Sequence, residues 1–111
     1  MNEIKLETLR KLCEKGNVIW SVHALERMQE REITKSDVFN AIRNGKIIEE
    51  YPKAFPYPAC LVLGVNINEQ ILHVVCGSNG VIVKMITAYY PDENKFDENG
   101  EARKENNKCN V

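Results

Sequence analysis

Three apolar runs decide the fold of this chain: ACLVLGV at residues 59–65, QILHVVC at 70–76 and VIVKMITAY at 81–89. Each run is short, rich in β-branched residues and bounded by turn-forming residues, which is the pattern of strands joined by tight turns. The segment KIIEEY at 46–51 has the same character. We therefore expect three to four antiparallel strands in the second half of the chain.

The first 45 residues show helical periodicity instead. Apolar positions in residues 3–15 recur at helical spacing and end at Gly16, a residue that commonly closes a helix. Ser21 can cap a second helix and Thr34 a third, because their hydroxyl oxygens can accept from free N–H groups of the first turn. The third helix should end at Gly45. The pattern predicts an α+β fold with N-terminal helices on one face of a C-terminal antiparallel sheet.

Two segments break this periodicity. The run PKAFPYP at 52–58 contains three prolines, which cannot continue a helix or a strand ladder, so it should be a loop. Residues 93–111 are charged and contain almost no aliphatic side chains, so we expect a disordered tail. Residues 1–92 should then form a single domain, since the 111-residue chain is too short for two ordinary ones.

Charge and hydropathy limit the class of protein. Residues 1–90 carry 11 Lys+Arg against 10 Asp+Glu, so any contact with RNA must depend on a local basic patch. We find no signal-peptide block and no run approaching membrane-spanning length. We expect a soluble cytoplasmic protein that has no membrane partner.

The cysteines do not indicate a metal site. Cys13, Cys60, Cys76 and Cys109 lie far apart, without a C-x-x-C pair or histidines at ligand spacing. Reduced thiols are the expected state, and neither a metal nor another cofactor is expected.

Period-2 alternation predicts the strand register. Four-residue turns would place His73 opposite Lys84 and Leu63 opposite Leu72. The face expected to take the helices then comprises Leu61, Leu63, Leu72, Val74, Val83 and Met85. The face expected to be open comprises Val62, Ile71, His73, Val75, Ile82, Lys84 and Ile86.

The second helix carries a stripe of ionisable side chains. His23 and Arg27 are one turn apart, and Arg31 follows one turn later. A solvated face with ion pairs between neighbouring turns is one interpretation. The other is a histidine beside two arginines that can hold and protonate phosphate oxygens.

The strands offer further candidates. His73 beside Lys84 would place two cationic groups on an apolar face, which favours a shared anion, although a lone strand histidine is often structural. Tyr89 and Tyr90 can stack on a base or donate hydroxyls. Alternatively, they end the last strand with a polar tip at water.

The ordered segments WSVHALERMQEREIT, VFNAIRNGKIIEEYP, PACLVLG, LHVV and ITAYYPD resemble the family catalogued as domain of unknown function 4258, over roughly residues 18–92. Members of that bacterial family are similar to small toxins paired with a zinc-finger antitoxin. The resemblance implies the helix-then-sheet fold of RelE-like and MqsR-like messenger-RNA interferases. The family pattern falls on His23, Ala24, Arg27, Arg31, Ile33, Gly45, Tyr51, Leu61, His73, Thr87, and Tyr89 or Tyr90.

The resemblance and the candidate residues favour a metal-independent ribonuclease toxin of a toxin–antitoxin pair. In such an enzyme a base takes the 2′-hydroxyl proton, an acid protonates the leaving 5′-oxygen, and cations stabilise the phosphorane. The alternative is a noncatalytic module whose open sheet face binds an anion, a partner protein or a second copy. The expected site comprises His23, Arg27, Arg31 and His73 as catalytic residues and Lys84, Tyr89 and Tyr90 as substrate-binding residues.

Overall fold

The computed structural model describes residues 4–91, and its strands form one five-stranded sheet in the order β1-β5-β4-β3-β2. Strand β1 is parallel to β5, and the other neighbours are antiparallel. None of the helices in this part of the chain is long and apolar enough to cross a membrane. The predicted tail at 93–111 lies outside the described residues. The elements are α1 (Leu6–Glu14), β1 (Val18–Trp20), α2 (Val22–Glu30), α3 (Lys35–Asn44), β2 (Lys46–Tyr51), β3 (Ala59–Val65), β4 (Ile71–Ser78) and β5 (Val83–Tyr89).

The α+β class is confirmed. The sheet differs from the expected three to four antiparallel strands, because it has five strands and one parallel pair. The additional strand is β1, which lies between α1 and α2, so the helices do not all precede the strands. Its three residues are too few to show a period of two. Its partner β5 lies at the far end of the chain, where Val83 N–H also donates to the Asn17 carbonyl at 3.0 Å.

The predicted helix boundaries are confirmed by the capping contacts. Ser21 Oγ accepts from the Ala24 N–H at 3.0 Å at the start of α2. At the start of α3, Thr34 Oγ1 accepts from the Asp37 N–H at 3.0 Å, and the Asp37 carboxylate accepts from the Thr34 N–H at 2.9 Å. Gly16 has φ +77°, as a left-handed residue after a helix requires.

The helices lie on one face of the sheet, and α3 approaches it most closely. A Cβ added to Gly64 in β3 would overlap the Ala41 carbonyl of α3, so the two backbones pass each other without side chains between them. The core between helices and sheet comprises Leu9, Leu12, Met28, Val38, Ile42, Cys60, Val62, Leu72, Val74, Cys76, Val83, Met85 and Ala88.

The predicted register of β3 against β4 is wrong by one residue. Leu63 lies opposite His73, because the turn between the strands holds five residues and closes with a hydrogen bond from Asn66 N–H to the Gln70 carbonyl at 2.9 Å. A shift of one residue moves side chains to the opposite face of the sheet. The residues that exchange faces relative to the prediction are Leu61, Val62 and Leu63.

The predicted pairing of His73 with Lys84 is also wrong. Strand β4 continues through the segment expected to form the turn, so Lys84 lies opposite Gly77 and His73 lies opposite Tyr89. The register shifts at Ile86, which has no partner in the ladder. His73 and Lys84 share the face away from the helices, but they are about 13 Å apart along the strands. The anion site expected from this pair is therefore not formed.

Candidate functional site

The first turns of α2 present His23 and Arg27 to solvent. The Arg27 Nε donates to His23 Nε2 at 3.4 Å, and this long hydrogen bond requires a lone pair on Nε2. Arg27 also lies 3.8 Å from the Glu30 carboxylate, an exposed ion pair that contributes little to stability. Both side chains are therefore oriented together without being fixed by the core.

Lys84 joins these residues from the sheet. It lies in β5 opposite Ile19 of the edge strand β1, directly beside the start of α2. A cleft of about 260 Å³ is lined by His23 on the helix side and Lys84 on the sheet side, with Ser21 between them. The fold thus brings His23 and Lys84 to one concave surface, and Arg27 adjoins it through its contact with His23.

The third wall of this cleft is the loop at residues 52–58. The loop lies against the sheet face away from the helices at Gly77, and its last residue continues the β3–β4 ladder, where Ser78 N–H donates to the Pro58 carbonyl at 3.1 Å. A Cβ on Gly77 would lie 3.1 Å from the Pro58 carbonyl oxygen and 3.6 Å from Tyr57 Cβ, so the loop sits closely on β4 at this glycine. Phe55 of this loop lines the cleft, and 95% of its surface is exposed.

Arg31 occupies a different position from the one expected. Its Nη1 donates to Thr87 Oγ1 at 3.1 Å and to the Ala88 carbonyl at 2.9 Å. These contacts join the C-terminal end of α2 to β5 across a half-buried interface. Arg31 therefore positions the helix that carries His23 and Arg27.

His73 is fully buried on the sheet face away from the helices. Its ring meets the ring of Tyr89 edge to face, with centroids 5.4 Å apart. On the same face, the Tyr51 hydroxyl donates to the Glu49 carboxylate at 2.5 Å. A polymeric substrate at the surface does not reach an imidazole with this burial.

Tyr90 lies beyond the end of β5, about 20 Å from Lys84 by strand length. Its hydroxyl accepts from Asn66 Nδ2 at 3.1 Å. Of the seven residues expected at the site, the structure therefore places His23 and Lys84 in one cleft, with Arg27 in contact with His23, and it places Arg31, His73, Tyr89 and Tyr90 elsewhere.

The loop residues of the cleft were missed by sequence reasoning. The segment at 52–58 was expected to be a loop, but its position over the sheet depends on the strand register. A usable signal was present, because two aromatic residues stand between three prolines in a short stretch.

The buried thiols do not contribute nucleophiles. Cys60 and Cys76 lie opposite each other on β3 and β4. The pKa of Cys76 is raised well above its ordinary value, first by the hydrogen bond with Cys60 and then by burial. Burial and the nearby Glu14 carboxylate raise the pKa of Cys13 to about 11. Raised pKa values keep the Cys13 and Cys76 thiols protonated and unreactive near neutral pH.

Within residues 4–91, no group of three or more His, Cys, Asp or Glu side chains is arranged to hold a metal ion. The fold and the cleft define a small α+β protein with a surface cleft between α2, β5 and the loop at 52–58. A family model described as "Domain of unknown function (DUF4258)" matches residues 20–90, more than half of the chain, and the chain belongs to this family. The match covers all the cleft residues and excludes α1. Neither a curated protein nor a solved structure gave a match.

Proposed function

We propose that this protein is a metal-independent endoribonuclease, a toxin of a toxin–antitoxin pair, whose site is the cleft between α2, β5 and the loop at 52–58. The proposal includes a likeness to RelE-like interferases. The observation that supports it most is that His23 and Lys84, from two elements far apart in the chain, line one cleft, while Arg27 contacts His23.

These three side chains supply the groups that phosphodiester cleavage needs. The His23 Nε2 lone pair can take the proton of the RNA 2′-hydroxyl, whose oxygen then attacks phosphorus. The bond to the 5′-oxygen breaks, and the Lys84 ammonium can supply the proton that this oxygen takes up. Arg27 can hold the non-bridging oxygens as their charge grows. The products are a 2′,3′-cyclic phosphate and a 5′-hydroxyl end.

The nearly neutral charge of the chain is compatible with this chemistry because the cations are concentrated locally. A cleft with low-dielectric walls focuses the potential of the charges that line it. The Lys84 ammonium lines such a cleft, and the Arg27 guanidinium contacts His23, which lines it too.

Growth of a bacterial host tests the toxin part of the proposal. Induced expression of the wild-type chain should slow growth, and Lys84→Ala at equal protein level should not. Arg43→Ala is a matched control, because this exposed arginine lines a separate cavity beside α1. Unimpaired growth with the wild-type protein would contradict the assignment as a toxin.

A further inference from the structure

We infer that the cleft selects single-stranded RNA by stacking an unpaired base on the ring of Phe55, next to the phosphate held by the cations. The inference rests on the proposed function and adds the substrate class that the site accepts. It also assigns a binding role to a loop residue outside the expected site.

The exposure of Phe55 is the first argument. Phenylalanine is among the side chains most often buried, yet this ring is 95% exposed. The loop that bears it lines the same cleft as His23 and Lys84. An aromatic face at the edge of a basic cleft is the arrangement by which proteins bind unpaired bases.

The second argument is the rigidity of the loop at 52–58. Ala54 N–H donates to the Tyr51 carbonyl at one end, and Ser78 N–H donates to the Pro58 carbonyl at the other, each at 3.1 Å. Three prolines restrict φ between these anchors. The ring is therefore presented by an ordered segment, and less conformational entropy is lost on binding.

The third argument is the match between the two parts of the cleft and the two parts of a nucleotide. His23, Arg27 and Lys84 suit the phosphate, and the Phe55 ring suits the base. Bases of a duplex are already stacked on each other and do not present a free face. The same site should therefore discriminate strongly against double-stranded RNA.

Binding of uncleavable RNA tests this inference separately from catalysis. The probe is a short single-stranded RNA with 2′-O-methyl groups and one 2-aminopurine, whose fluorescence falls on stacking. Wild-type protein should bind and quench it. Phe55→Leu should bind roughly five- to 150-fold more weakly and lose the quenching, since it removes one base–aromatic stack. Phe55→Trp should retain both.

Val81→Ala is the matched control, because Val81 is also a highly exposed apolar residue but does not line the cleft. It should behave as wild type, and circular dichroism should show Phe55→Leu fully folded. Equal binding and quenching by wild type and Phe55→Leu would overturn the inference while leaving the proposed function intact, and the ring would then be a candidate contact for a protein partner. Preference for duplex RNA, or unfolding of Phe55→Leu, would also overturn it. A wild-type protein that neither binds nor cleaves RNA would contradict both.

Discussion

Arg27 Nε lies 3.4 Å from His23 Nε2, one turn further along α2, and donates a hydrogen bond to it. A neutral imidazole that accepts at Nε2 keeps its proton on Nδ1, so the arginine orients the lone pair that a base requires. When a phosphate enters the cleft, the guanidinium can turn to it and leave this lone pair accessible to the 2′-hydroxyl. In the proposed mechanism, helical spacing therefore places the arginine beside the base.

The first prediction concerns Arg27. Arg27→Ala should lower the rate of RNA cleavage about a hundredfold or more, because it removes the phosphate contact that the proposed transition state requires. The free energy of unfolding should change by no more than about 0.5 kcal/mol, since the side chain is exposed and its ion pair with Glu30 is weak. Single-turnover cleavage and urea unfolding measure the two effects. A variant that loses stability and activity together would assign Arg27 a structural role.

The second prediction concerns Arg31, whose contacts are with the sheet. Arg31→Ala should lower the free energy of unfolding by about 1–3 kcal/mol, because it leaves the half-buried Thr87 hydroxyl and Ala88 carbonyl without their donor. Urea unfolding should show this loss, and Arg43→Ala should not. Unchanged stability of Arg31→Ala would show that α2 is held on β5 by apolar contacts alone.

The third prediction tests the close approach of α3 to β3. Gly64→Ala should destabilise the protein by roughly 3 kcal/mol or prevent folding, since the new methyl group would overlap the Ala41 carbonyl. In Gly16→Ala the new methyl group would have no atom within 4 Å. Only the positive φ should then lower the free energy of unfolding, by about 1 kcal/mol. Thermal unfolding of both variants makes the comparison. Equal losses for the two would contradict the packing described for α3.

The fourth prediction concerns pH and Asp37. Burial alone would raise the pKa of this carboxyl, but hydrogen bonds from the Thr34 N–H, the Ile67 N–H and the Thr34 side chain outweigh it and hold the pKa below its ordinary value of 3.8. The unfolded state therefore takes up the proton first on acidification. The stabilisation is fully present above about pH 5 and is lost as the pH falls through the ordinary pKa and then the lower, folded-state pKa.

Asp37→Asn provides the measurement for this prediction. At neutral pH the variant should be less stable than wild type by about 1–3 kcal/mol, because charged hydrogen bonds to Thr34 and Ile67 are weakened. The difference should shrink as the pH is lowered from 5 to below 3 in urea unfolding experiments. A difference that stays constant over this range would show that Asp37 carries no net charge-dependent stabilisation.

The helix boundaries could be predicted from the sequence because they depend on local contacts. Ser21, Thr34 and Gly16 act within a few residues of their own positions, and each was placed correctly. The face of β3 could not be predicted in the same way. Both of its faces are apolar and largely buried, so alternation did not distinguish Val62 from Leu61.

The candidate site was likewise predictable only where it depends on local contacts. His23 and Arg27 are neighbours through helical spacing alone, and this relation was expected. The positions of Lys84 and His73 depend on turn length and on the register shift at Ile86, which are set by tertiary contacts. Because β4 extends past Cys76, Lys84 lies opposite Gly77, away from His73 and beside the start of α2.

Cleavage of RNA by purified protein in excess EDTA, followed by analysis of the new ends, is the most direct test of the central claim that His23, Arg27 and Lys84 form a ribonuclease site. The wild-type protein and Arg43→Ala should cleave single-stranded RNA and leave 2′,3′-cyclic phosphate and 5′-hydroxyl ends. His23→Ala and Lys84→Ala should remain folded and cleave about a hundredfold more slowly. RNA left intact by the wild-type protein, or cleaved equally fast by the folded His23→Ala and Lys84→Ala variants, would contradict the account.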